Sequence, residues 1–288
     1  MANNKQITRK QHYIPEMYLK SFCNEDGKIW QYNLLYGNYK PVTPAQTGYI
    51  EFLYETQWKG STDENKQFAL VNYLENLFRD RENIYLQCIS SVCQKACTHD
   101  FSVSDITQDE RKILAEFTTN IFLRHPNMMK VIDFDNLSEK EKASTHAEEL
   151  RKLFGNEAET VLIFENKCRW LDSQFPGGYF QLVQNIFEKM CLTIIMSEHS
   201  EFITCDWPIL NAQIGGEIIT FLLPISPKIC ICYNKLLYKE NVNHISDEMV
   251  GLYNKLHIEK KSSRMKYLYA RNKEDIERLF KESGEKQK

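Results

Sequence analysis

Along most of the chain the apolar positions recur at steps of three and four, and only in the last third do they gather into short β-branched and aromatic runs. The first pattern predicts helices and the second predicts strands. From Gln67 to about Lys95, the residues Phe68, Val71, Leu74, Leu77, Phe78, Ile84, Leu86 and Ile89 mark a long amphipathic helix, with a bend expected around Asp80 to Asn83. Thr107-Gln108-Asp109-Glu110 is a helix-start signal whose acidic first turn suits the helix dipole, and the helix then runs through Ile113, Leu114, Phe117, Ile121 and Phe122 to Arg124. Glu157 to Leu171 and Tyr179 to Met196 read as two further helices, separated by Pro176-Gly177-Gly178. Ser138 to Phe154 carries mixed charges at helical spacing, which predicts a solvated face on an exposed insertion or lid.

Before the long helix, Lys28 to Asn33 alternates in the manner of a half-buried strand, and Tyr36-Gly37-Asn38 turns the chain into Tyr39 to Val42, giving a small hairpin. Thr43 to Trp58 is expected to run extended over the surface, closed by a polar loop from Lys59 to Glu64. In the last third, Phe202 to Thr204, Ile218 to Leu223 and Lys228 to Tyr233 predict an antiparallel sheet. A helix at Asp247 to Ile258, a strand at Met265 to Ala270, a charged helix at Lys273 to Lys281 and a polar tail complete the chain.

The fold expected from this pattern is α+β: a mainly helical N-terminal two-thirds packed on a C-terminal antiparallel sheet, with a small N-terminal hairpin. No linker divides it, so the 288 residues are expected to form a single domain over 1–288. Its parts are a helix and hairpin at 12–58, a helical region at 67–196, and a sheet with closing helices at 201–282.

Composition narrows the function. An apolar fraction of 42% with 15 Tyr and 16 Phe is ample for a large core, and 26% charged residues is ordinary for a globular chain. A net charge of −3 argues against a globally basic nucleic-acid binder but leaves room for a local patch. The longest apolar pieces, such as Cys191 to Met196, fall far short of the ~20 residues that span a bilayer, so no membrane partner and a cytoplasmic location are expected. Nine scattered cysteines lack the paired spacing of a zinc site and are read as reduced thiols.

Candidate chemistry concentrates near the N-terminus. In Gln11-His12-Tyr13-Ile14-Pro15-Glu16-Met17-Tyr18-Leu19-Lys20-Ser21-Phe22, Pro15 suits the first turn of a helix whose Tyr18, Leu19 and Phe22 form an apolar stripe and whose Glu16 and Lys20 line the flank. His12 and Tyr13 stand at its entrance. There an imidazole either satisfies backbone groups or supplies proton-transfer or metal-binding chemistry. Glu75 lies on or beside the apolar stripe of the long helix, where a carboxylate either tilts to solvent or joins a paired site. Arg124, at a helix end, either caps the last carbonyls or binds a carboxylate or phosphate. Asp206 follows a strand and precedes Trp207-Pro208, a place for a turn former or for a catalytic or metal-binding carboxylate.

The ordered segments His12-Tyr13-Ile14-Pro15-x-x-Tyr18-Leu19-x-x-Phe22, Leu123-Arg124-His125-Pro126, Phe202 to Pro208, Leu223-Pro224-Ile225-Ser226-Pro227, Tyr253-Asn254-Lys255-Leu256 and Lys266 to Tyr269 resemble a mainly bacterial family, domain of unknown function 4238. The resemblance covers nearly the whole chain and implies positions rather than a mechanism. Members often carry two adjacent histidines where this chain has Gln11-His12, and serine or threonine where it has Cys205, which turns attention away from Gln11 and Cys205.

His12, Glu75, Arg124, Asp206 and Asn254 come from five elements, and if they converge they fit metal-assisted phosphodiester hydrolysis. In that reading His12, Glu75 and Asp206 hold a divalent cation such as Mg or Mn; His12, Arg124 and Asp206 are catalytic; and Tyr13, Arg124 and Asn254 bind substrate. The expected protein is a nuclease, an effector of bacterial defence or a toxin, with nucleic acid as partner. No Gly-rich phosphate loop, and so no nucleotide cofactor signature, is present. The alternative is a non-enzymatic module that binds another protein and whose polar cluster is structural.

Overall fold

The computed structural model describes residues 7–58, 68–98, 100–130, 137–237, 239–259 and 265–283. The loop expected at Lys59 to Glu64, the start of the long helix at Gln67 and the end of the polar tail lie outside them. Strand β1 (Lys10–His12) leads through Pro15 into helix α1 (Glu16–Lys20), and the hairpin β2 (Ile29–Asn33) and β3 (Asn38–Val42) follows. The next segment holds three short strands, β4 (Tyr49–Glu51), β5 (Thr56–Gln57) and β6 (Phe68–Ala69). β1 pairs with β4, and β5 with β6.

The helical region contains α2 (Tyr73–Ala96), α3 (Gln108–Arg124), α4 (Pro126–Met129), α5 (Glu139–Lys142), α6 (Thr145–Phe154), α7 (Ala158–Leu171) and α8 (Tyr179–Glu188). The signal at Thr107 acts as expected: its hydroxyl accepts the Glu110 amide at 3.2 Å while the Glu110 carboxylate accepts the Thr107 amide at 2.8 Å. Three ion pairs tie α2 to α3: Glu82 with Arg124, Arg81 with Glu116, and Lys95 with Glu110. Because residue numbers rise on one helix as they fall on the other, the two run antiparallel.

The rest of the chain supplies β7 (Cys191–Ser197), β8 (Thr204–Cys205), β9 (Leu210–Ile214), β10 (Glu217–Ser226), β11 (Ile229–Asn234), β12 (Asn241–Ile245), α9 (Asp247–Glu259), β13 (Tyr267–Ala270) and α10 (Lys273–Ser283). One sheet has the order β12-β7-β11-β10-β9 and the other β3-β2-β13-β8. The chain is thus mixed helix and sheet, as the α+β expectation requires, but three finer points differ. The C-terminal sheet is not wholly antiparallel, because β12 runs parallel to β7. The N-terminal hairpin is not a separate feature, since β2 pairs with β13 from the far end of the chain. And the helix expected over Tyr179 to Met196 stops at Glu188, after which Cys191 to Ser197 is a strand paired on both sides. A buried central strand reads as a continuous apolar run, which periodicity does not separate from a buried helix.

A large apolar cluster joins α1, α2, α3 and α8 to both sheets through residues such as Leu19, Phe22, Phe117, Phe187, Ile194, Ile231 and Tyr269. Tyr18, Leu19 and Phe22 are each fully buried, so the short α1 is docked along its whole apolar stripe. That docking fixes the His12-Tyr13 dipeptide at its entrance. Among the described residues no helix is long and apolar enough to cross a membrane.

Candidate functional site

The entrance to α1 is held from outside by Gly48, whose carbonyl accepts the amides of Tyr13 at 2.9 Å and Ile14 at 3.2 Å. Gly48 has φ +68°, and a Cβ there would sit 3.2 Å from the Ile14 Cβ, so both its conformation and its space call for glycine. β1, paired to β4, then carries Gln11 and His12 inward. Gln11 is fully buried: its amide donates to Glu55 Oε1 at 2.6 Å and its carbonyl oxygen accepts the Tyr54 amide at 2.6 Å. It is a clamp between β1 and the segment that follows β4.

The Tyr54 hydroxyl donates to the His12 carbonyl at 2.9 Å and accepts from Arg124 Nε at 2.9 Å. Arg124 is 1% exposed, lies over the Phe78 ring at 4.1 Å, and spends a second nitrogen on Glu82 Oε1 at 2.8 Å and Asn120 Oδ1 at 3.4 Å. Of the two roles open to it, Arg124 takes carboxylate binding, but its carboxylate is internal. Burial works to lower its pKa, and Tyr54, Glu82 and Glu75 outweigh that, so the cation is locked on.

His12 is 9% exposed, and its ring bonds the Pro44 backbone while Nε2 has no hydrogen-bond partner. Glu16 Oε1 stands 3.6 Å from that nitrogen. Burial first, and the Arg124 charge second, bring the imidazole pKa down to about 4, so the ring is neutral at pH 7 and Nε2 presents a lone pair. Glu75 Oε2 is a second buried atom with no hydrogen-bond partner. Burial raises the Glu75 pKa to about 7, opposed by Arg124 and reinforced by Glu82 and Glu55. Tyr54 thus joins Arg124 to the His12 carbonyl, and His12 and Glu75 each lie in the field of the Arg124–Glu82 pair.

Tyr13 faces a different group. Its ring meets His125 edge-on at 5.3 Å, and His125 packs on Trp207 at 4.1 Å. Asp206, 1% exposed, accepts the backbone amides of Lys266 at 3.0 Å and Tyr267 at 3.2 Å. Both of its oxygens are thereby committed to the entry of β13, and the Asp206 amide in turn donates to the Tyr267 carbonyl at 3.1 Å. In the fold the carboxylate fastens two strands, by long-range backbone contacts rather than by a local turn. Asn254 also departs from the expected substrate contact. Its Oδ1 accepts the Ile203 amide at 3.0 Å and its Nδ2 donates to the Glu201 carbonyl at 2.9 Å, which pins the segment leading into β8. It lines a cavity of about 490 Å³ with Ser200, Glu201, Asp247 and Lys255, away from His12 and Glu75.

The five expected residues thus divide: His12 and Arg124 are linked through Tyr54, Glu75 shares with His12 only the field of Arg124 and Glu82, and Asp206 and Asn254 bond the backbone elsewhere, with Tyr13 beside the Asp206 group. No group of three or more His, Cys, Asp or Glu side chains that could hold a metal ion is present among the described residues, so the set His12, Glu75 and Asp206 does not assemble. Two residues of the Arg124 network are not among the expected site residues: Glu82, and Tyr54, which reads from the sequence only as an aromatic anchor of the segment from Thr43 to Trp58. Glu82 carried a signal, because it lies seven residues after Glu75 and four after Phe78, on the same helical face.

Comparison with curated proteins finds no match, and neither does comparison with solved structures. The family described as "Protein of unknown function (DUF4238)" matches residues 10–274, a span that holds every residue of the cluster from Gln11 to Arg124. The chain belongs to that family.

Proposed function

We propose that the chain is a phosphodiesterase acting on nucleic acid, assisted by a divalent cation, with its chemistry centred on His12 and Glu75. The observation that carries the reading is the pair of buried unpartnered atoms, His12 Nε2 and Glu75 Oε2, placed around one Arg124–Glu82 ion pair. Unsatisfied buried polar atoms cost about 1–3 kcal/mol each, a cost that a bound cation or substrate would relieve. A neutral imidazole can hold a cation that activates water, and a carboxyl with pKa about 7 is half protonated at neutral pH, poised to protonate a leaving oxygen. Glu16, Glu55 and Glu82 make the surroundings acidic, and a phosphate enters such a place only together with a cation. Arg124 positions the site from beneath, with Nε committed to Tyr54 and Nη1 to Glu82 and Asn120.

The test is hydrolysis of labelled single- and double-stranded RNA and DNA with Mg²⁺ or Mn²⁺. Cleavage that disappears in His12→Ala and falls in Glu75→Gln supports the reading, and a folded protein that cleaves none of these substrates removes it. One observation favours the non-enzymatic alternative, a module for binding another protein: the fully internal Arg124 suits a structural network. That alternative predicts that His12→Ala costs about 1–3 kcal/mol of stability.

A further inference from the structure

The ring of His12 is held in one orientation. The Pro44 backbone and the Tyr49 ring, edge-on at 5.6 Å, flank it, and Nε2 is buried without a hydrogen-bond partner. Metal-binding histidines are commonly set in this manner, with the second ring nitrogen donating to a backbone carbonyl or a carboxylate. Glu16 Oε1 stands 3.6 Å from His12 Nε2. That is too long for a hydrogen bond, which runs to about 3.2 Å. It is the right span for two ligands of one ion, since metal–ligand bonds of about 2.0–2.2 Å at a tetrahedral angle put the donor atoms roughly 3.4 Å apart.

The sequence places these two groups four residues apart, His12 at the end of β1 and Glu16 at the start of α1, with Pro15 fixing the turn between them. The Glu16 side chain is 35% exposed and the His12 side chain 11%, so the pair has one buried and one open side. Two protein ligands leave the other coordination positions to water or substrate, one protein ligand fewer than the three that commonly hold a catalytic zinc. The ligand chemistry also selects the metal. Mg²⁺ is bound by oxygen, whereas an imidazole nitrogen beside a carboxylate suits a borderline transition ion.

We propose that His12 Nε2 and Glu16 Oε1 are the two protein ligands of a transition-metal ion of the Mn²⁺ or Zn²⁺ class, with water completing its coordination. This rests on the placing of a cation at His12 in the functional reading and not on the substrate assigned there. Glu16 thereby takes the place that Asp206 was expected to hold.

The test uses the full chain and Mn²⁺, because nine cysteines would compete for Zn²⁺. Mn²⁺ binding is followed by electron paramagnetic resonance, and the His12 ring signals by NMR. The expected result is one site per chain whose occupation selectively broadens the His12 resonances, with affinity at least about ten-fold weaker in Glu16→Gln and little competition from equimolar Mg²⁺. Glu16 is partly exposed, so its substitution is expected to leave the circular dichroism spectrum unchanged. Unaltered Mn²⁺ affinity in Glu16→Gln, or Mn²⁺ that broadens other histidines instead, overturns the site. Mn²⁺ bound as expected without cleavage of any nucleic acid would leave the site standing and remove the phosphodiesterase, whereas cleavage that persists in chelator would do the reverse.

Discussion

The hydroxyl of Tyr54 stands between the Arg124 guanidinium and the His12 carbonyl, 2.9 Å from each, so a single oxygen links the buried cation to the backbone of β1. Tyr54→Phe keeps the ring against Phe78, where the centroids are 4.9 Å apart, and deletes that oxygen. Arg124 Nε and the His12 carbonyl then lose a partner in a buried place. We expect a loss of about 2–4 kcal/mol in urea unfolding, and a loss within ±0.5 kcal/mol would show that water or Glu82 takes over both bonds.

Gly48 sets the same dipeptide from the other side. Gly48→Ala must hold an alanine at φ +68° and press its Cβ to 3.2 Å from that of Ile14. The expected cost is about 1–2 kcal/mol from the left-handed backbone alone, with a larger value if Ile14 does not yield. Thermal unfolding of the variant measures it.

Asp206 gives stability a pH dependence of definite sign. Burial raises its pKa to about 7, against the pull of the Lys266 and Tyr267 amides. A group whose folded pKa is raised above its unfolded value favours the fold fully below the unfolded pKa, about 3.8, and loses that contribution as pH rises through about 7. Asp206→Asn keeps one acceptor for the amides and cannot ionise. The slope of unfolding free energy between about pH 4 and 7 is therefore expected to be flatter in the variant than in the parent chain. An unchanged slope would mean that the three amide contacts keep the carboxylate ionised throughout.

How far the fold could be read in advance depended on what each residue touched. The Thr107 start, the Arg124 end and the buried stripe of α1 follow from local spacing, and the structure keeps them. β7 was hidden because Cys191 to Ser197 is covered on both sides and shows no alternation. In the site, residue type and position pointed to His12 and Arg124, which Tyr54 links, and to Glu75, which shares their electrostatic field. They pointed equally to Asp206 and Asn254, whose polar atoms are taken by backbone groups about fifty to sixty residues away in sequence, a pairing that no local pattern displays.

Glu75 predicts the alkaline limb of the rate profile in the phosphodiesterase reading. Its carboxyl faces Arg124 on α3, Glu82 and Arg79 on its own helix, and Glu55. As the proton donor it is active in its protonated form, so the rate should fall as pH rises through about 7. Glu75→Gln removes that limb and lowers the rate by about 10²–10⁴-fold. A variant that retains the alkaline limb assigns it to another group.

The most direct measurement of the central claim is cleavage of labelled RNA and DNA by His12→Ala and the parent chain, in Mn²⁺, on samples whose unfolding midpoints in urea have been compared. The expected result is that the variant stays folded, giving up only the Pro44 contact and the packing on Tyr49, and loses cleavage altogether. A variant that is markedly destabilised, while the folded parent cleaves neither substrate, would contradict it and make the cluster a structural network.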